Sequence, residues 1–289
     1  MNHNSPTIFT VCDERFARGG AACIASLVAH SSRALDIVVL DGGLTDVTFS
    51  RLEESGKGAR SIRRLKVDLS QFAGLPNMHG SHTTYARLLM DRLTDQAEVL
   101  WIDADTIVQS DVIPLLETEI GDNPIAAVLD PIVKSTSNDP YCHENTSEPG
   151  LPYFNAGVFK ANLAQWRREG LSQKALATLA TVRAKHLYHD QSVLNRLLKD
   201  RWFSVDRTWN TASFQADEGI DGASLDAAIL HFLADRKPWR FERSRTPSAQ
   251  RFYAILDHTP YRGWRPSRLR YLLRKVRLAL NKQRRKFLP

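Results

Sequence analysis

Between residues 7 and 232 the chain alternates short apolar runs with stretches of helical spacing, and this rhythm narrows the fold more than any other feature. TIFTVC (7–12), DIVVL (36–40), residues 61–67, EVLWI (98–102), residues 125–129, YFNAGVF (153–159) and residues 227–232 read as strands. Residues 21–29, 45–54, 83–93, 162–168 and 190–198 read as helices. Thr45 and Asn162 are suited to cap two of these, and Gly56 to end one. Strands alternating with helices predict an α/β sheet covered on both faces. In such sheets ligands sit outside the carboxyl ends of the strands.

The 289 residues allow a substantial core, and 43% hydrophobic with 25% charged residues is the balance of a globular protein. No run approaches the ~18 uninterrupted apolar residues of a membrane-spanning helix. The N-terminus MNHNSPTIFTVC lacks the basic and apolar regions of a secretory signal. Three widely spaced cysteines (Cys12, Cys23, Cys142) give no zinc pattern and suit a reducing cytoplasm.

The net charge of +7 is unevenly placed. Residues 262–289 hold eleven Lys/Arg and no Asp/Glu, leaving 28 basic and 32 acidic side chains in the first 261 residues. The body is mildly acidic and the tail strongly basic. In that tail Leu269, Leu272, Leu273, Val276, Leu280 and Phe287 form one helical stripe, the pattern of a helix lying on an anionic membrane surface. The Pro/Arg/Gly-rich stretch 238–266 is the expected boundary, with a body of residues 1–245 and a membrane-association segment of residues 246–289. A nucleic-acid partner would explain the tail alone, so none is expected.

VLWIDADTIV (99–108) ends an apolar strand with two aspartates, Asp103 and Asp105. On a strand, residues i and i+2 share a face, about 6.6 Å apart along the chain. Two such carboxylates repel, and a hard divalent ion such as Mg²⁺ or Mn²⁺, completed by phosphate oxygens, removes the repulsion. A turn or helix-cap pair at a strand end is the other reading of this triplet.

Six stretches together carry a resemblance: TTYARL (83–88), WIDADTIV (101–108), GDN (121–123), YFNAGVFKANLAQWR (153–167), DQSVLN (190–195) and HFLADRKPW (231–239). Their order and spacing, over about residues 7–240, resemble retaining glycosyltransferases of family 8, especially bacterial lipopolysaccharide and lipooligosaccharide galactosyl- and glucosyltransferases. The resemblance implies a nucleotide-diphospho-sugar transferase (GT-A) fold, a single mixed sheet flanked by helices. It implies a metal-dependent hexosyltransferase using a UDP-hexose donor and Mn²⁺, with Mg²⁺ as the alternative. It also implies a saccharide or glycolipid acceptor and a cytoplasmic location on the inner face of the cell membrane.

Roles carried over by the resemblance fall on Asp103, Asp105 and His231 as metal ligands, with imidazole favouring Mn²⁺ over Mg²⁺. Thr10, Asp13, Phe16 and Lys237 would bind the nucleotide, Lys237 at the diphosphate. Arg87, Asn155 and Asp190 would bind the donor sugar. Gln191 would face its anomeric carbon, with Asp190 beside it in the catalytic pair. Asp130 and His79 match acceptor positions. An amide is a poor nucleophile, so same-face attack by the acceptor is expected over a covalent intermediate. Two departures stand out: Arg15 where a small polar residue is common, and Ala234 where glycine is usual, a change expected to shift the backbone near the phosphates.

Two alternatives fit parts of the sequence. Phosphatases of the haloacid dehalogenase type also follow an apolar strand with DxD. They carry Thr or Val where Ile107 stands here, and their downstream Lys and acidic pair have no counterpart in this chain. A non-catalytic sugar-nucleotide-binding protein on the membrane surface is the second alternative.

Overall fold

The computed structural model describes residues 5–75, 82–143, 150–181, 188–269 and 271–272. Among these the strands are β1 (Thr7–Cys12), β2 (Asp36–Asp41), β3 (Ser61–Lys66), β4 (Glu98–Ile102), β5 (Thr106–Val108), β6 (Ile125–Leu129), β7 (Phe154–Asn162), β8 (Phe203–Ser204), β9 (Thr211–Ala212) and β10 (Ile229–His231). Seven of them form one sheet in the order β3-β2-β1-β4-β7-β6-β8. β3, β2, β1 and β4 are parallel, while β7 runs against both β4 and β6, so the sheet is mixed as expected. A small second sheet, β5-β10-β9, is an addition that the strand pattern alone does not foretell.

The central strands are apolar on both faces because both faces are covered. Alternation sends Ile8, Ile37, Leu100 and Ile102 into one core, and Phe9, Val38, Val99 and Trp101 into the other. The helix Ala17–His30 packs on the first core, starting earlier than its apolar pattern suggests. Gly19 permits a close approach there: a Cβ at this position would lie 2.5 Å from the carbonyl oxygen of Ala104, between the paired aspartates, and 2.6 Å from the Trp239 ring. Thr45 caps the helix Asp46–Ser55 by accepting from the Thr48 amide at 3.2 Å. Asn162 likewise caps Leu163–Glu169, accepting from the Gln165 amide at 3.0 Å.

Residues 83–93 differ from the expected helix. They begin as a 3₁₀ turn, Thr83–Leu89, and only Met90–Leu93 is α-helical. Thr83, Thr84 and Tyr85 are poor helix formers, and the Arg87 side chain takes the Thr84 carbonyl at 3.3 Å.

From residue 246 to residue 261 the chain remains part of the body. Thr246 caps the helix Pro247–Leu256, whose Ala249, Phe252, Tyr253 and Leu256 lie in the first core together with Tyr261. A large apolar side chain buried in this way contributes about 1.5–3 kcal/mol over exposure. Packing therefore extends through the stretch read as a boundary. Tyr271 stacks on Phe241 with ring centroids 5.5 Å apart, while Leu269 and Leu272 are exposed. Leu273, Val276, Leu280 and Phe287 lie outside the described residues.

Candidate active site

β4 ends at Ile102, the chain turns through Asp103-Ala104-Asp105, and β5 begins at Thr106. The Asp103 amide donates to the Gly157 carbonyl at 2.8 Å, fixing the turn to β7. β10 pairs antiparallel with β5 and sets His231 opposite Thr106. Its next residue, Phe232, donates its amide to the Asp105 carbonyl at 2.9 Å. The small sheet is thus what carries His231 to the aspartates across more than a hundred residues of sequence. One ligand atom each from Asp103, Asp105 and His231 can be chosen so that all lie within 4.8 Å of one another.

The two carboxylates have different neighbours. Asp103 Oδ1 accepts from Arg87 Nη2 at 2.9 Å and from Trp101 Nε1 at 2.7 Å. Burial raises the Asp103 pKa above the usual carboxylate value, with Arg87 pulling it down and the Asp105 charge adding to the rise. Asp105 accepts from the buried Lys237 ammonium, and His231 Nε2 lies 3.3 Å from its other oxygen. Burial opposes the Asp105 charge too, but the adjacent Lys237 ammonium outweighs it and holds this carboxyl well below the usual range.

Arg87, itself buried, also places Nε 2.8 Å from Asp190 Oδ2. The contact is out of line for a hydrogen bond, so that oxygen accepts none among the described residues. The other Asp190 oxygen accepts from the Thr84 hydroxyl. Taken as ionised, the six aspartates on the cavity wall (Asp13, Asp103, Asp105, Asp130, Asp190 and Asp235) outnumber the cations Arg15, Arg87 and Lys237 by three charges. Hard oxygens, one imidazole and an excess negative charge suit a divalent cation such as Mn²⁺.

Asp130 is filled. Its Oδ1 accepts from the amides of Ile132 (2.8 Å) and Val133 (2.7 Å), and its Oδ2 from Asn155 Nδ2 (2.8 Å) and Gln191 Nε2 (3.0 Å). The Gln191 carbonyl oxygen accepts from the Ala156 amide at 2.9 Å. Asp13 is filled as well: Oδ1 takes the amides of Arg15 and Phe16, and Oδ2 takes Arg15 Nε and Nη2 at 3.1 and 2.7 Å. Arg15, one of the two sequence departures, therefore grips the carboxylate expected at the nucleotide. At the other departure Ala234 adopts φ 51°, the left-handed conformation natural to glycine, at a cost of roughly 1–2 kcal/mol.

A cavity of about 460 Å³ gathers Asp13, Phe16, Arg87, Asp103, Asp105, Asp130, Asn155, Asp190, Gln191, His231 and Lys237. Thr10 is not on its wall; it is fully buried in β1, and its neighbour Val11 lines the cavity instead. His79 lies outside the described residues. Sequence reasoning missed Trp101, Thr84 and Asn210. Trp101 was findable, since residue i−2 on a strand shares the face of Asp103. Asn210 closes the 3₁₀ turn Arg207–Asn210 and carried no pattern signal.

Residues 7–243 match the model of glycosyl transferase family 8. Lipopolysaccharide 1,3-galactosyltransferase of Salmonella typhimurium is 28% identical over 266 residues, 86% of this chain and 77% of that protein. General stress protein A of Bacillus subtilis is 24% identical over 274 residues, 88% of this chain and 94% of its own. Among solved structures, galactosyltransferase LgtC in complex with donor and acceptor sugar analogs superposes with a TM-score of 0.75 at 26% identity, covering 88% of this chain and 96% of the other.

Proposed function

Because the chain belongs to glycosyl transferase family 8, we propose that it is a retaining hexosyltransferase moving galactose or glucose from a UDP-sugar to a saccharide acceptor, in the lipopolysaccharide or lipooligosaccharide core. The observation that carries this reading is the convergence of Asp103, Asp105 and His231 beside Lys237 at one cavity. The similarity to a lipopolysaccharide galactosyltransferase supports the substrate class.

Asp103, Asp105 and His231 would hold Mn²⁺, which when bound supplies Lewis-acid neutralisation of a diphosphate. Lys237 now neutralises Asp105. Were a metal ion to satisfy that carboxylate, the ammonium would be available to the departing UDP, where fixed positive charge lowers the barrier most. Phe16, which lines the cavity together with Asp13 and Arg15, would stack on the uracil. Arg87, Asn155 and Asp190 would orient the donor-sugar hydroxyls; Asp190 Oδ2, ion-paired with Arg87, is a buried acceptor that takes no hydrogen bond among the described residues.

In the reaction, the bond from the anomeric carbon to the diphosphate breaks as the acceptor hydroxyl attacks from the same face, its proton passing to the leaving phosphate. The Gln191 amide would stabilise positive charge developing on that carbon. A covalent route of the kind used by retaining glycosidases needs a carboxylate nucleophile, and an amide oxygen already accepting from the Ala156 amide is a weaker one still.

No helix among the described residues is long and apolar enough to cross a membrane. Peripheral attachment through the basic tail would hold the enzyme near a glycolipid acceptor at the inner membrane face. Screening UDP-sugars for Mn²⁺-dependent hydrolysis, then offering acceptors with the preferred donor, tests the reading. Turnover of a UDP-hexose supports it, and inertness toward every UDP-hexose with Mn²⁺ present overturns it.

A further inference from the structure

We infer that Asn210 is a positioning residue that sets the tautomer of His231 and couples it to Gln191 through a directional chain of buried hydrogen bonds. The inference rests on the metal reading above for its consequence, and on geometry alone for the chain itself. Asn210 and its partners His231, Asn155 and Asp130 are each no more than 5% exposed. His231 Nδ1 lies 2.9 Å from Asn210 Oδ1, Asn210 Nδ2 lies 2.9 Å from Asn155 Oδ1, and Asn155 Nδ2 lies 2.8 Å from Asp130 Oδ2.

The direction of every link follows from its ends. A carboxylate only accepts, so Asn155 must turn its NH₂ toward Asp130. Its carbonyl oxygen then faces the other way, where the Gly157 amide, which can only donate, meets it at 2.9 Å. That same oxygen is met by Asn210, which must therefore present its NH₂ to Asn155 and its carbonyl oxygen to His231. A carbonyl oxygen requires a donor, so the proton of His231 sits on Nδ1. In the neutral ring Nε2 then carries the lone pair, directed toward Asp105 3.3 Å away. A lone pair against a carboxylate is unfavourable until a cation lies between them, and that is the state a metal ligand needs. Partners of this kind fix the ring and its tautomer for coordination.

The chain continues on the far side of Asp130, where Gln191 Nε2 shares Oδ2 with Asn155. Gln191 is oriented by the same logic, because the Ala156 amide can only donate to its carbonyl oxygen. Asp130 is thus a buried hub between the metal side and the anomeric side. Asn210 is the link whose loss separates the two without touching substrate.

The test uses the full chain with Asn210→Leu, Asn210→Asp and, for assignment, His231→Gln. Nitrogen-15 spectra of histidine-labelled, metal-free protein should show Nδ1 protonated in the wild type and in Asn210→Asp, with the proton redistributed to Nε2 in Asn210→Leu. Calorimetric titration of Mn²⁺ in the presence of UDP should show roughly ten- to a hundredfold weaker binding for Asn210→Leu, and Asn210→Asp within about threefold of wild type. Asp accepts from Nδ1 but cannot donate to Asn155, so Asn210→Asp should keep metal affinity and lose turnover number. A general packing role would not produce that split. Wild-type tautomer and affinity in Asn210→Leu overturn the inference, as does loss of affinity in folded Asn210→Asp. If Asn210→Leu fails to fold, the Asn210→Asp spectra and titration decide. If the wild type binds no Mn²⁺, the metal reading fails, while the spectra still judge the tautomer.

Discussion

The His231 ring stands against the Cα of Gly157, in space that any larger residue would take. A Cβ on Gly157 would overlap His231 Cε1 and come within 2.8 Å of Nδ1 and 3.0 Å of Asn155 Oδ1. Gly157 does not have a positive φ, so its backbone itself accepts alanine. Gly157→Ala is therefore expected to keep the fold by circular dichroism while weakening Mn²⁺ binding by roughly ten- to a hundredfold through displacement of the imidazole. Unchanged Mn²⁺ affinity in this variant would detach His231 from the metal site.

Gln191→Ala removes an acceptor from the Ala156 amide and one of the four donors on Asp130. If its amide acts by electrostatic stabilisation, turnover should fall about 10²-fold, with UDP affinity preserved and activity still measurable. Steady-state kinetics with a UDP-hexose checks this. Total loss of activity with intact UDP binding would favour a nucleophilic role instead.

The basic tail is expected to attach the protein reversibly to anionic vesicles, with each Lys or Arg near the surface worth about 1 kcal/mol. Sedimentation of the full chain should exceed that of a chain ending at Tyr261, and the difference should shrink with salt. Equal sedimentation of the two on anionic vesicles would remove the membrane proposal.

At the root of that tail Arg265 grips Asp257 through two hydrogen bonds, at 3.0 and 2.8 Å, and the Gly263 amide adds a third. These partners hold the Asp257 carboxyl down to about 2. A carboxyl depressed on folding stabilises the folded state above its unfolded pKa of about 3.9 and loses that contribution as pH falls through the folded value. Asp257→Asn should therefore lower the melting temperature slightly at pH 7, on the order of 0.5 kcal/mol for an exposed pair. The gap from wild type should narrow as pH drops from about 4 toward about 2. A gap independent of pH in melting curves would show that the pair is not its source.

Much of the site could be read from the chain because its chemistry lies in strand ends. Asp103 and Asp105 follow an apolar run at a spacing that shares a face, and the six matching stretches supplied His231, Arg87 and Asp190. Asn210 escaped because its contacts depend on β9 pairing with β10, a relation between two- and three-residue strands with no periodicity to detect. Asp130 was expected at the acceptor; its four hydrogen-bond donors come from three segments far apart in sequence, so its role as a buried anchor left no local pattern. The helix Pro247–Leu256 was hidden by its Pro- and Arg-rich surroundings. Its signals were nonetheless present: Thr246 before Pro247 at the start, then Ala249, Phe252, Tyr253 and Leu256 at helical spacing.

The most direct measurement is calorimetry of UDP binding with and without Mn²⁺, in wild type and in Asp103→Asn, Asp105→Asn and His231→Gln. Mn²⁺ should tighten UDP binding to the wild type by at least about tenfold, or 1.4 kcal/mol, and each substitution should erase that gain in a folded protein. Equal UDP affinity with and without Mn²⁺ in the wild type, or an undiminished gain in all three variants, would contradict a metal centre built from these residues.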